Sequence, residues 1–322
     1  MSKIKKLNPE VTGLIMIIVA AFSASIYQPY SQILTGDNFS IYLFGMFAFL
    51  GSTVFCLILF ITQFFLTMKD KEKRNYLHGF KEYLYTFLSG ISSVGANLFL
   101  LTAMNFARAS EVSLITNLEV IVTMMFAKFL FRQKVAFYNW FAAPLIVSGA
   151  ILLTFDFSAD TVKFSYGLLF ALGSCICWPL ENNFSQLVSH RNPVQITGIK
   201  HCISFVVDMI FAFSLGHRVT QFTGPLEAFG IGAFSLGFVF ILYVLAQKRI
   251  GAARASALYS LAPFLGSFIY LLVTKTVPQW NFYLGASLIF SGQLLIIVMT
   301  LRNSKKKSED KKKADTVKEE GS

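Results

Sequence analysis

Long apolar windows alternate with short polar islands along the whole chain. Charged residues gather in the islands and leave windows of about 20 mostly apolar residues, enough to cross a bilayer core of about 30 Å. The windows predict ten helices: Val11–Leu34, Ile41–Thr67, Tyr83–Met104, Ser110–Phe131, Phe137–Thr154, Phe164–Val188, Ile196–Leu215, Glu227–Ala246, Ala255–Val273 and Phe282–Leu301. The expected fold is an all-α membrane protein with ten transmembrane helices.

The same pattern repeats within the chain. Leu118 matches Leu261 at an offset of 143, which also pairs Ala103 with Ala246, Ser113 with Ser256 and Ser148-Gly149 with Ser291-Gly292. Earlier in each half the offset is 154: Gly13-Leu14 matches Gly167-Leu168, and Tyr30-Ser31-Gln32 matches Phe184-Ser185-Gln186. The charged loop Met68–Glu82 absorbs the difference. The chain therefore reads as one five-helix repeat over 1–157, a second over 158–301, and a disordered basic tail over 302–322. Five is odd, so the second repeat enters from the opposite side and the pair is inverted. Such architectures place substrate near the midplane, between halves that rock against each other.

Charge settles orientation rather than chemistry. Lys3, Lys5, Lys6, Lys69, Lys71, Lys73, Arg74, Lys81, Arg132, Lys134, Arg191, Lys248, Arg249, Arg254 and the tail lysines fall on one side. Only Arg108, Lys163, Arg218 and Lys275 fall on the other. Both termini are expected in the cytoplasm, with the protein in the cytoplasmic (plasma) membrane. The formal net charge of +11 is thus a topology signal, and no nucleic-acid partner is expected. Ser23-Ala24-Ser25 offers small residues after an apolar run, as in a cleaved leader, yet the run is too long and belongs to the repeat. The cysteines, Cys56, Cys175, Cys177 and Cys202, lie in membrane helices without metal-binding spacing and read as small apolar fillers. No metal and no cofactor are expected.

An ionised side chain near a helix centre costs about 2.5–3.5 kcal/mol on insertion scales, so each one needs a reason. Glu119, Lys128, Glu181, Lys200 and Asp208 are such residues. Thr116, Glu119 and Thr123 share one helix face, bordered by Asn117. Ser174, Trp178, Glu181 and Ser185 form a stripe beside Pro179, with Asn182 and Asn183 following. Glu181 and Lys200 lie at similar distances from the turn at Arg191–Asn192, so a charge pair between them is geometrically cheap. Lys128 can snorkel, and His201 is a weak case for a metal or a proton relay. The substrate-binding or translocation candidates are Glu119, Asn117, Trp178, Glu181, Asn182, Tyr27, Gln28 and Tyr259. A carboxylate in such a place could take substrate or exchange a proton, so protons are a candidate coupling ion.

The stretches ASEVSLITNLEVIVTMMFAKFLFRQKV, from Ala109, and RIGAARASALYSLAPFLGSFIYLL, from Arg249, resemble the EamA-type branch of the drug/metabolite transporter superfamily, bacterial and ten-helix. Val120 stands where that family often has proline, and its usual later glutamate is absent from both halves. CWPLENNFSQ, followed by NPVQITGIK, is similar to a bacterial subgroup of it. The resemblance implies a secondary transporter of a small metabolite. An amino acid or related amphipathic solute is favoured, with export the expected direction; nucleotide sugars and quaternary cations are alternatives. A membrane-embedded enzyme, a channel or a sensor would be the rival class. The chain has no G-x-x-x-x-G-K-[ST], H-E-x-x-H or G-x-S-x-G, so neither ATP drive nor catalysis is expected.

Overall fold

The computed structural model describes residues 9–35, 39–66, 75–129, 137–156, 163–164, 166–220, 222–250 and 252–320. The basic connections at Lys69–Arg74 and Arg132–Lys134, counted above for orientation, lie outside them. The first half comprises α1 (Pro9–Ala24), α2 (Tyr27–Leu34), α3 (Ile41–Leu66), α4 (Phe80–Phe106), α5 (Ala109–Ile115), α6 (Glu119–Phe129) and α7 (Phe137–Thr154). The second comprises α8 (Tyr166–Val188), α9 (Pro193–Ser214), α10 (Thr223–Gly232), α11 (Val239–Ile250), α12 (Ala252–Tyr259), α13 (Ala262–Thr274) and α14 (Trp280–Glu320).

Among the described residues, eight stretches are long and apolar enough to cross a membrane, several of them made of two helices end to end. The predicted fifth and sixth helices fall short of that standard. In α7 the apolar part is the shorter Trp140–Leu153. In α8 the polar run Glu181–Gln186 lowers the hydropathy of the last third. Both still pack as members of the bundle, α7 along α14 and α8 along α4. One antiparallel pair, β1 (Phe155–Asp156) with β2 (Lys163–Phe164), joins the halves and is the departure from an all-helical chain among the described residues. It replaces the expected helix start at Phe164.

Helix α14 runs beyond the expected membrane span, through the basic tail to Glu320. Lys, Glu and Ala are strong helix formers, and the preceding membrane helix supplies the nucleus that an isolated segment would have to form unaided.

The two sequence offsets reappear as contacts. A Cβ on Gly13 would lie 2.6 Å from Cγ2 of Ile250 and 3.0 Å from Cβ of Arg249. On Gly167, offset by 154, it would lie 2.9 Å from the Cβ atoms of Ala107 and Phe106, the residues 143 before Ile250 and Arg249. In the α7–α14 contact, Gly149 faces the Gly285 carbonyl and its counterpart Gly292 faces the Ala142 carbonyl. Each half thus makes with the other the contact that it receives. Small residues let these backbones approach closely where lipid offers no hydrophobic drive for association.

Helix breaks follow the repeat as well. Between α5 and α6 a single 3-10 turn, Thr116–Leu118, interrupts the rod. Between α12 and α13 the break falls at Ser260 and Leu261, and Leu261 is the repeat partner of Leu118. The Ser25–Ile26 break between α1 and α2 matches Pro179–Leu180 inside α8 at the offset of 154. A further irregularity, the π-helical turn Ala233–Phe238, joins α10 to α11. Non-helical backbone at membrane depth is tolerated where protein or a wet cavity covers it.

Candidate functional site

The irregular segments meet around one central cavity, with an atom-free volume of about 890 Å³ when its open mouth is included. The α1–α2 break supplies Ser25, Tyr27 and Gln28; the 3-10 turn and α6 supply Thr116 and Glu119. Across from them stand Trp178 and Asn182 of α8, Ser235 of the π turn, and Tyr259, Ala262 and Pro263 at the α12–α13 break. Phe49, Phe240 and Tyr243 complete the aromatic walls, and α4 contributes Ser93 and Asn97. Small-molecule sites commonly combine such apolar walls with a few placed polar groups.

Glu119 is the acidic side chain among these lining residues. It opens α6 directly after the 3-10 turn, and its Oε1 accepts a hydrogen bond from Asn182 Nδ2 at 2.8 Å. That bond joins the two halves across the cavity. Tyr27 donates its hydroxyl to Asn97 Oδ1 at 2.9 Å. Gln28 accepts from the Ser113 hydroxyl, which ties the α1–α2 break to α5. Tyr259 packs edge-on against Tyr243, with ring centroids 4.9 Å apart.

Six of the eight candidates therefore line the cavity: Glu119, Trp178, Asn182, Tyr27, Gln28 and Tyr259. Asn117 and Glu181 do not. Asn117 is buried, and its Nδ2 donates to the Leu114 carbonyl. A 3-10 turn advances about 120° per residue rather than about 100°, so the face counted at α-helical spacing does not carry Asn117 along. Glu181 is fully buried, and its Oε1 accepts from Lys200 Nζ. Lys200 is itself 2% exposed and stands 3.5 Å from the ring centroid of Phe240, so the charge pair lies behind the cavity's aromatic wall.

The crowded end of α8 thus divides its polar groups among three tasks. Glu181 pairs with α9, Asn182 reaches Glu119, and Asn183 donates to the Pro179 carbonyl one turn back at 2.7 Å. His201, beside Lys200, packs between Phe49 and Phe240 and shares a 2.5 Å hydrogen bond with Ser52. Its burial there suits packing rather than a ligand role.

Sequence reasoning missed Asn97 and Ser93. Their signal was present as Ser89, Ser93 and Asn97, four residues apart on one face of α4. It also missed the partner of Asp208, which is Asn97.

Comparison with known proteins agrees with this architecture. The model of the EamA-like transporter family matches residues 11–155 and again 165–298. An uncharacterized transporter of Methanothermobacter thermautotrophicus is 28% identical over 60% of this chain and 58% of its own length. The uncharacterized transporter YoaV of Bacillus subtilis is 23% identical over 77% of this chain and 84% of its own. The probable 4-amino-4-deoxy-L-arabinose-phosphoundecaprenol flippase subunit ArnF of Erwinia tasmaniensis is 30% identical, over 40% of this chain and 93% of its own. One solved crystal structure shares the fold with a TM-score of 0.64 at 13% identity, covering 90% of this chain and 99% of that one. Two copies of the family pattern, repeat-related helix breaks and a shared fold lead to one conclusion: this chain is an integral membrane protein of the EamA-like transporter family.

Proposed function

We propose that the protein is a secondary transporter that exports a small amphipathic solute bearing an amino group, such as an amino acid, by alternating access. The observation that carries this reading is Glu119, the acidic group of an aromatic-walled cavity between the halves. An ammonium group suits that carboxylate, and the faces of Trp178, Tyr243 and Phe240 suit an apolar side chain or the cation itself. A nucleotide sugar fits less well. Its phosphates call for Lys or Arg, and the lining residues include neither.

In this reading residues 1–157 and 158–301 are inverted five-helix repeats, with α7 and α8 completing ten spans. The protein sits in the cytoplasmic membrane with both termini inside. A reporter after Ser322 should then be cytoplasmic, and one inserted between Thr35 and Phe39 external. A tail found outside would overturn the orientation. Protons are the coupling ion, because a proton and an ammonium group compete for Glu119 and replace one another as the cavity changes sides.

The decisive test is transport in inside-out vesicles with and without an imposed proton gradient. Amino acids, their decarboxylated amines and a quaternary ammonium solute should be compared. Gradient-dependent accumulation of an amine-bearing solute is expected. Accumulation of anionic nucleotide sugars instead would overturn the cargo assignment. A lipid-linked amino sugar, suggested by the name of the Erwinia relative, would show as flipping in liposomes without uptake of free solute.

A further inference from the structure

Asp208 lies outside the cavity yet is connected to it. It sits in the middle of α9, 1% exposed, where α3 and α4 pack against that helix. Its Oδ2 accepts from Asn97 Nδ2 at 3.3 Å, and its Oδ1 has no partner among the described residues. Asn97 in turn accepts the Tyr27 hydroxyl through Oδ1 at 2.9 Å. Both Asn97 and Tyr27 line the cavity. The space around the carboxyl depends on Gly45, where a Cβ would stand 2.8 Å from Asn97 Nδ2 and 3.1 Å from Asp208 Oδ2.

A buried carboxylate with one long amide contact and a bare oxygen is short of compensation, and a monovalent cation supplies what is missing. We propose that Asp208 is a cation site, for a proton or a sodium ion, and that a turn of the Asn97 amide reports its occupancy to the cavity. With no cation, Asn97 points its nitrogen at Asp208 and its oxygen at Tyr27, as in the structure. A cation shared by both carboxylate oxygens, or a proton on Oδ2, requires an oxygen opposite Oδ2. The Asn97 amide must then turn end for end, presenting Oδ1 to Asp208 and Nδ2 to the Tyr27 oxygen. The phenol becomes an acceptor from Asn97, and its own hydrogen is released toward the cavity. Cation binding thereby gives the cavity a donor for an acceptor group on the solute; only this last step rests on the function proposed above.

Few other charges complicate the site. Around Asp208, α3 presents Gly45, α4 presents Asn97 and Leu101, and α2 presents Tyr27, the titratable group among them. On α9 itself Lys200 and His201 lie about two turns earlier, roughly 11 Å along the axis. Beyond these, Glu119 is the acidic group of the adjoining cavity, so its variant is the control for any response to pH.

The test needs no solute. The full-length protein in nanodiscs is melted across a sodium series at fixed pH, with choline as the replacement cation, and across a pH series without sodium. A saturable sodium-dependent rise in melting temperature that Asp208→Asn lacks and Glu119→Gln keeps would identify a sodium site. The same pattern on acidification alone would identify a proton site. Tyr27→Phe removes one hydrogen bond to Asn97 from each orientation of the amide, so its cation midpoint should stay within about 3-fold of wild type. A wild-type protein insensitive to both cations, or an Asp208→Asn response matching wild type, overturns the proposal. Loss of the cation response in Tyr27→Phe, where the Asp208 carboxyl and the Asn97 amide are both intact, overturns it too. Should Asp208→Asn not fold, the wild-type and Tyr27→Phe curves still decide.

Discussion

Glu119→Gln is expected to abolish most high-affinity transport of amine-bearing solutes while leaving the protein folded. Glutamine keeps the size of the side chain and its acceptor oxygen, so the bond from Asn182 Nδ2, 2.8 Å long in the wild type, can persist between neutral groups. What is lost is the charge that meets an ammonium group. Hydrogen bonds to an ionised partner are worth about 1.5–3 kcal/mol, roughly twice a neutral one, so solute affinity should fall by about 10-fold or more. The pH profile separates this role from packing. In the wild type, protons displace the solute as pH falls, and apparent affinity weakens; the variant should lose that acid-side weakening. A variant that keeps both wild-type affinity and the acid-side loss would remove Glu119 from the solute site and leave the family assignment standing alone. Asn182→Ala offers a milder companion. It removes one hydrogen-bond partner without touching the carboxylate, so affinity should change by only a few-fold.

The sequence made some of this visible because it depends on one helix at a time. Apolar windows mark spans regardless of what they pack against, and the Glu181–Lys200 contact follows from counting residues on either side of one turn. The Thr116–Glu119 face is likewise local, and so is the link from Gly13 to Gly167 by offset. What stayed hidden depends on bringing distant segments together. The path from Tyr27 through Asn97 to Asp208 joins residues 70 and then 111 apart in sequence, on α2, α4 and α9. No periodicity reports such a path. Helix breaks were the other gap. The 3-10 turn at Thr116–Leu118 contains neither glycine nor proline, so no local breaker announces it, whereas the Ser25–Ile26 break falls at the carbonyl that Pro29, four residues on, crowds and cannot bond. A one-residue shift had large consequences on α8. Trp178 and Asn182 are one turn apart and face the cavity, whereas Glu181, at the edge of the same face, points to α9.

That division of labour on α8 makes Lys200→Met the substitution with the largest expected effect on folding. The lysine is 2% exposed and its partner carboxylate fully buried, so deleting the cation strands a charge that water cannot reach. Removing one member of such a pair typically costs about 3–5 kcal/mol, enough to unfold a marginal protein. Glu181→Gln should cost less, because Lys200 retains the ring of Phe240 against its ammonium group. Combining Glu181→Gln with Lys200→Met removes both charges, and the double variant should melt much closer to wild type than Lys200→Met alone. Its melting temperature and its transport then answer different questions. If the pair only fastens α8 to α9, recovered folding brings recovered transport. If Glu181 acts in the transport cycle, for instance by releasing Lys200 as the halves move, the double variant folds and stays inactive. A Lys200→Met protein that melts like wild type would show that the pair holds nothing together. The turn that joins α8 to α9 would then be held from α4, where Glu82 accepts from Arg191 Nε at 2.8 Å and 3.0 Å.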